Sequence, residues 1–272
     1  MSGLIRVGAV NYLNSKPLIE GLTQFAPNVD LFLDLPSRLA DQLASDRLDV
    51  ALIPVIEFFR AGRYTILPDI AVASCGPVLS VTLFSRVPWE RIESVALDEG
   101  SRTSAALTQI LLKKRYNRVP RWQQLPITVA ADDLSTDAVL LIGDRAMRAC
   151  LPGFDFAYDL GQEWTDWTGL PFVFAVWAVR EGVDLGNAAE AFLRAKREGI
   201  RQAGRIAARE AGALGLDPGF CRRYLTNIIR YDLGPRELAG LSLFSKFARE
   251  LNLAPTGVTL DTYHRFAVVE SH

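Results

Sequence analysis

Apolar and amphipathic segments alternate along the first 60 residues. Leu4–Val10, Val29–Leu35 and Asp49–Pro54 are mostly apolar and predict three buried strands. Between the second and third of these, residues 36–48 repeat leucine at helical spacing, with Ser37 as the expected N-cap. The resulting β-α-β-α-β-α order predicts an α/β protein with a mostly parallel sheet covered by helices.

Two longer apolar segments, Pro77–Ser85 and Gly169–Arg180, bracket a further region of alternating strands and helices. From Gly186 onward the pattern becomes helical, which suggests that the chain returns to the region where it began. We therefore expect two lobes with mixed, mostly parallel sheets and a ligand cleft between them. The predicted boundaries are residues 1–82 and 176–272 for a discontinuous lobe 1, and 83–175 for lobe 2.

Composition narrows the choice of partners. Of 272 residues, 49% are hydrophobic and 22% are charged, as in ordinary globular proteins with a sizeable core. The 30 basic and 31 acidic residues give a net charge of −1, so neither nucleic acid nor an anionic membrane is expected as a partner. No apolar run approaches the roughly 20 residues that span a bilayer, and no signal-peptide pattern is visible. We expect a cytoplasmic protein.

Cysteine and histidine usage limits the chemistry. The three cysteines, Cys75, Cys150 and Cys221, are widely spaced and predict free thiols rather than a disulfide framework. Histidine occurs only at His264 and His272, so acid–base chemistry must depend on other residues, on His264, or on the substrate itself. A zinc site is not expected from so few ligands. Nucleotide-binding and serine-hydrolase motifs are absent, and we expect neither a metal nor another cofactor.

Polar side chains follow the first predicted strand, in the segment VGAVNYLNSKPL at residues 7–18. Ligands of α/β proteins bind beyond the carboxyl ends of the strands, which is where Tyr12 and Asn14 would lie. Two interpretations stay open at this point. Asn14 caps a helix that begins near Pro17, or it holds a ligand.

The segment DEGSRTS, residues 98–104, places hydroxyl groups at the start of a predicted helix. Ser101, Thr103 and Ser104 together with free backbone N–H groups would bind a carboxylate or a phosphate. Capping of the helix by serine is the alternative, and the two roles are compatible.

Two further polar residues are less clearly assigned. Ser80 lies on a predicted strand and faces either the core or the cleft. Asp144 follows a buried strand, where it caps the next helix or takes part in proton transfer.

Six segments taken together resemble a known family. They are VGAVNYLNSKPL, LDVALIPVIEF, CGPVLSVTLFS, GSRTSAALTQILL, VLLIGDRAMRA and DLGQEWTDWTGLPFVFAVWA. In this order they resemble the MqnA family, the chorismate dehydratases of the futalosine route to menaquinone. The resemblance implies a type II periplasmic-binding-protein-like fold, a carbon–oxygen hydro-lyase activity, chorismate as substrate and no cofactor.

The resemblance also implies roles for individual residues. Asn14 matches the asparagine of the family's YLN segment and Ser80 the serine of its GPV-x-S segment, and both are expected to be catalytic. The expected substrate-binding residues are Tyr12, Ser101, Thr103, Ser104, Asp144 and Thr168. No obvious general base is present, and one hypothesis is that a carboxylate of the substrate accepts the proton.

Two other functions stay open. The chain could be a cytoplasmic binding protein of the same fold, or a related lyase or synthase that acts on another aromatic or enolpyruvyl carboxylate. The sequence is compatible with a monomer or a homodimer.

Overall fold

Two mixed β-sheets form the framework of the computed structural model, which describes residues 3–130 and 134–260. The strands are β1 (Ile5–Val10), β2 (Val29–Asp34), β3 (Val50–Pro54), β4 (Tyr64–Ser74), β5 (Val81–Ser85), β6 (Ser94–Asp98), β7 (Arg121–Leu125), β8 (Ala138–Ile142), β9 (Phe156–Asp159) and β10 (Phe172–Arg180).

Helices cover both sheets. They are α1 (Lys16–Ile19), α2 (Leu22–Phe25), α3 (Pro36–Ala44), α4 (Val55–Ala61), α5 (Thr103–Ile110), α6 (Gly143–Arg148), α7 (Leu160–Thr168), α8 (Ala188–Arg201), α9 (Ala203–Leu214), α10 (Pro218–Arg223) and α11 (Pro235–Glu250). Short 3₁₀ turns lie at Leu13–Ser15 and Trp89–Arg91, and π-helical turns at Leu111–Arg115 and Tyr224–Ile228. No helix in the described ranges is both long and apolar enough to cross a membrane.

The two sheets have the same kind of strand order. The first runs β2-β1-β3-β10-β4 and the second runs β7-β6-β8-β5-β9. In the first, β1 is parallel to β2 and β3, and β10 is antiparallel to β3 and β4. In the second, β6 is parallel to β7 and β8, and β5 is antiparallel to β8 and β9. The predicted α/β fold with mixed sheets is confirmed, and every antiparallel pair involves β5 or β10.

The chain passes between the sheets twice. It leaves the first sheet after β4 through residues 75–80 and returns to it after α7 through residues 169–171. Strand β5 lies wholly in the second sheet and β10 wholly in the first. The lobe boundaries at residues 82/83 and 175/176 stay a prediction.

Strand β3 shows why the sequence forms these sheets. All five of its residues are buried, as expected for a central strand covered by helices on both faces. Helix α3 packs beside it through the buried leucines Leu39 and Leu43. The predicted N-cap, Ser37, is wrong, because Leu35 is the N-cap residue and Pro36 occupies the first helical position. Proline favours that position because its fixed φ is already helical.

A close contact between two backbones fixes the position of α1. Gly199 of α8 lies so near Pro17 that an added Cβ would be 2.0 Å from the Pro17 carbonyl oxygen. Any larger residue would force the two helices apart. This contact anchors the segment that follows β1, which carries Tyr12 and Asn14.

Candidate active site

A cavity that is partly open to solvent lies between the two sheets. Its apolar wall includes Leu52, Val72, Val78, Ile142 and Phe174. The polar residues that interrupt this wall are Tyr12, Asn14, Ser80, Ser101, Arg102, Thr103 and Ser104. An apolar cavity with a few converging polar groups is typical of small-molecule sites.

Tyr12 reaches across the cavity from the end of β1. A Cβ added to Gly143 would lie 2.8 Å from the Tyr12 ring, and one added to Gly100 would lie 3.5 Å from its hydroxyl oxygen. Gly143 also has a φ of +61°, which other residues rarely adopt. Both glycines follow strands of the second sheet. Because they have no side chain, they leave space for the Tyr12 ring, which comes from the end of β1 in the first sheet. Burial raises the pKa of Tyr12, which is therefore a neutral group at physiological pH.

Asn14 and Ser80 both line the cavity, and Ser80 is hydrogen-bonded to a further residue, Tyr224. The Tyr224 hydroxyl donates to Ser80 Oγ at 2.7 Å, and Asn14 lies near the same phenol. Ser80 and Tyr224 are each 1% exposed. The N-cap residues of the 3₁₀ turn and of α1 are Tyr12 and Ser15, so Asn14 is not the helix cap that the sequence left open.

An unusual turn places Ser80 at the cavity. Leu79 has a φ of +62°, a strained value for a residue with a side chain. The carboxylate of Asp159 holds this turn, because it accepts from the N–H groups of Val78 at 3.0 Å and Leu79 at 2.7 Å. The same carboxylate caps α7. One side chain therefore links the first crossing between the sheets to the helix that precedes the second.

Ser101 is a buried donor without a protein partner. Its residue is 8% exposed and its hydroxyl forms no hydrogen bond among the described residues. It does not cap α5, whose N-cap residue is Arg102 and has no side-chain capping bond. The hydroxyl lines the cavity beside the N-terminus of α5, where unpaired N–H groups favour an anion.

Thr103 and Ser104 complete this side of the cavity. Both line it and both are buried. Thr103 Oγ1 accepts from the backbone N–H of Ile56, at 3.3 Å, and so joins α5 of the second sheet to α4 of the first. The structure therefore brings all three predicted hydroxyl residues of this segment to one wall.

Arg102 was not among the predicted site residues, although it lies inside the quoted segment. Among the described residues that line the cavity, it alone is charged. Its guanidinium lies 2.8 Å from Asp41 Oδ2 and 3.3 Å from Glu57 Oε2, both on the first half of the fold. A positively charged residue between hydroxyl residues in the sequence was the signal from which Arg102 could have been predicted.

Two predicted substrate-binding residues lie elsewhere. Asp144 is not among the cavity-lining residues, and its Oδ1 accepts from the backbone N–H of Leu13 at 3.1 Å. It is not a helix cap, since Ile142 holds that position in α6. Thr168 also lies outside the cavity wall, because its hydroxyl donates to the carbonyl of Trp164 within its own helix, at 2.8 Å. Both side chains support the walls rather than face the cavity.

Tyr224 carried no signal in the sequence. It lies in the helical C-terminal third, 144 residues from Ser80, and no motif surrounds it. His264 and His272 lie outside the described residues. Over 3–130 and 134–260, no group of three or more histidine, cysteine, aspartate or glutamate side chains is arranged to hold a metal ion.

The fold is that of the periplasmic binding proteins. Protein AF1704 from Archaeoglobus fulgidus matches with a TM-score of 0.72 and 18% identity, over 92% of this chain and 98% of its own. The alkanesulfonate-binding protein SsuA from Xanthomonas axonopodis pv. citri matches with a TM-score of 0.68 and 14% identity, over 94% and 96%. At these identities the likeness establishes the fold alone.

Sequence comparison assigns the family. A family model described as menaquinone biosynthesis matches residues 5–250. A chorismate dehydratase from Thermus thermophilus is 34% identical, over 88% of this chain and 98% of its own length. A chorismate dehydratase from Campylobacter jejuni is 28% identical, over 91% and 99%. The chain belongs to this menaquinone biosynthesis family, which confirms the resemblance found in the sequence.

Proposed function

We propose that this protein is a chorismate dehydratase that converts chorismate to 3-[(1-carboxyvinyl)oxy]benzoate, in the futalosine route and in the cytoplasm. The carrying observation is the cavity between the sheets, which Asn14 and Ser80 line together with the hydroxyl-rich start of α5. Two relatives that bear this name match nearly over their full length.

The reaction asks for orientation and charge stabilisation. A proton leaves the ring carbon that bears the ether, hydroxide leaves the neighbouring carbon, and together they form water. The ring becomes aromatic, which supplies the driving force. Electron density moves toward the ring carboxylate as the proton leaves, so donors around that carboxylate stabilise the transition state.

The start of α5 suits a carboxylate of the substrate. Ser101 supplies a buried hydroxyl without a protein partner, and the helix N-terminus supplies partial positive charge. Thr103 and Ser104 lie on the same wall, and the positive charge of Arg102 beside them is paired with Asp41 and Glu57. A dicarboxylate is favoured over a neutral ring compound by this arrangement.

Asn14 and Ser80, which line the same cavity as the start of α5, are the proposed catalytic residues. Both side chains are neutral hydrogen-bonding groups that can hold the leaving hydroxyl and orient the ring. Tyr12, which also lines the cavity, is a proposed substrate-binding residue. We retain the hypothesis that a substrate carboxylate accepts the proton, which the position of Asp144 behind Leu13 favours.

The experiment mixes the purified protein with chorismate and follows both compounds by liquid chromatography with mass detection. We expect chorismate to disappear and an aromatic enol ether, lighter by one water, to accumulate. Asn14→Ala should reduce kcat/KM by about 100-fold or more. A binding protein of the same fold would return chorismate unchanged, and that result would refute the proposal.

Asp144→Asn separates the two hypotheses for the proton acceptor. If the substrate carboxylate accepts the proton, this variant keeps most of its turnover. If turnover disappears while the variant folds and binds chorismate normally, Asp144 is the base instead.

A further inference from the structure

The phenol of Tyr224 is hydrogen-bonded to one proposed catalytic side chain and lies near the other. It donates to Ser80 Oγ at 2.7 Å, and Asn14 lies close to the same phenol. Asn14 belongs to the segment after β1, Ser80 to the first crossing between the sheets, and Tyr224 to the C-terminal helices. Three distant parts of the chain therefore meet at one hydroxyl group.

Ser80 keeps its own hydrogen for the cavity. With its oxygen accepting from Tyr224, the hydroxyl is a donor, and the protein acceptor it has is the Val78 carbonyl at 3.4 Å. A bond of that length is weak, so a ligand in the cavity can replace it. Tyr224 thereby leaves Ser80 as a donor toward the cavity.

The surroundings hold the Tyr224 ring in place. The side chain is 1% exposed and its ring stacks on Phe220, with planes 7° apart. Tyr224 is also the first residue of a π-helical turn that follows α10. Such turns break the regular helix and occur frequently at functional sites.

We infer that Tyr224 is a positioning residue for dehydration, which holds Ser80 as a hydrogen-bond donor toward the substrate. The inference rests on the proposed function of Ser80. It goes beyond that proposal because Tyr224 does not line the cavity and acts through Ser80.

The test compares Tyr224→Phe with Tyr231→Phe. Tyr231 is also buried, 4% exposed, but its hydroxyl has no partner among the described residues, which makes it a matched control. We expect Tyr224→Phe to lower kcat about tenfold or more with KM within about threefold, since the substrate still binds but is held less well. Tyr231→Phe should keep the parent kcat.

A double variant separates positioning from general support of the fold. If Tyr224 acts through Ser80, the loss of kcat/KM in Ser80→Ala with Tyr224→Phe should be clearly smaller than the product of the two single losses. Chorismate affinity replaces kcat/KM where turnover is below detection. If the loss in the double variant equals the product of the two single losses, Tyr224 has a structural role, and the inference is overturned.

The remaining outcomes are distinct. A parent protein that leaves chorismate unchanged refutes the proposed function itself. An active parent with Tyr224→Phe within twofold of its kcat overturns this inference alone. If Tyr224→Phe does not fold, 3,5-difluorotyrosine at position 224 keeps the ring and makes its hydroxyl a stronger donor to Ser80. We then expect kcat to change about threefold or more, and an unchanged kcat overturns the inference.

Discussion

Replacing Ser101 by alanine should stabilise the folded protein and at the same time lower its catalytic activity. The Ser101 hydroxyl is buried and forms no hydrogen bond among the described residues. Burying an unpaired hydroxyl costs about 1–3 kcal/mol. Alanine keeps the Cβ and removes that cost, so we expect the free energy of unfolding to rise by about 1 kcal/mol. For a chain of this length the Tm should rise by about 2 °C or slightly more.

The effect of Ser101→Ala on activity should have the opposite sign. If Ser101 donates to a substrate carboxylate, the variant loses a bond to a charged group, worth about 1.5–3 kcal/mol. That corresponds to about a 10- to 100-fold decrease in kcat/KM. Urea unfolding measures the first effect, and the rate of chorismate consumption at low substrate concentration measures the second.

Ser85→Ala is the matched control. Ser85 is 0% exposed, lies at the far end of β5 from Ser80, and donates to the Val87 carbonyl at 2.6 Å. It does not line the cavity. Its replacement should lower the free energy of unfolding by about 1 kcal/mol and leave kcat/KM unchanged. Equal destabilisation of both variants would show that Ser101 is already bonded in the free protein, and an unaltered kcat/KM for Ser101→Ala would refute its role toward the carboxylate.

Two further predictions concern the contact between the halves of the fold. Gly143→Ala should lower the Tm by several degrees and reduce turnover, because its Cβ would lie 2.8 Å from the Tyr12 ring and its φ of +61° is strained for alanine. A thermal scan in which the variant has the same Tm as the parent would contradict this. Burial raises the pKa of Asp144 in the folded state, so the folded protein binds this proton more tightly than the unfolded chain does. The free energy of unfolding of the parent, relative to that of Asp144→Asn, should therefore fall as the pH rises from below about 4 through the folded pKa. Urea unfolding of both proteins across that range measures this difference, and a difference that stays constant or grows would refute the prediction.

Much of the fold could be predicted from local patterns. The apolar runs that form β1, β2 and β3 have the length and spacing of buried strands, and the leucines of α3 repeat at helical period. These features depend on residues a few positions apart, so a single sequence contains them. The cap at Ser37 was predicted wrongly because proline at the first helical position outweighed the side-chain preference.

The site was predictable where polar residues follow a strand. Tyr12 and Asn14 after β1 and the hydroxyl residues after β6 all line the cavity, because each segment follows the carboxyl end of its strand and the cavity lies between the two sheets. Thr168 could not be excluded by the same reasoning. Its hydroxyl bonds within its own helix, and the direction of a side chain on a helix depends on how that helix packs.

The sequence by itself determined the first three strands, the two polar segments of the site and the family. Tertiary structure alone decided that Tyr224 donates to Ser80, that Arg102 pairs with Asp41 and Glu57, and that Asp144 supports Leu13. The reason is physical: periodicity and strand ends are local properties. A hydrogen bond between residues 144 positions apart exists only where the packing of both halves brings donor and acceptor together.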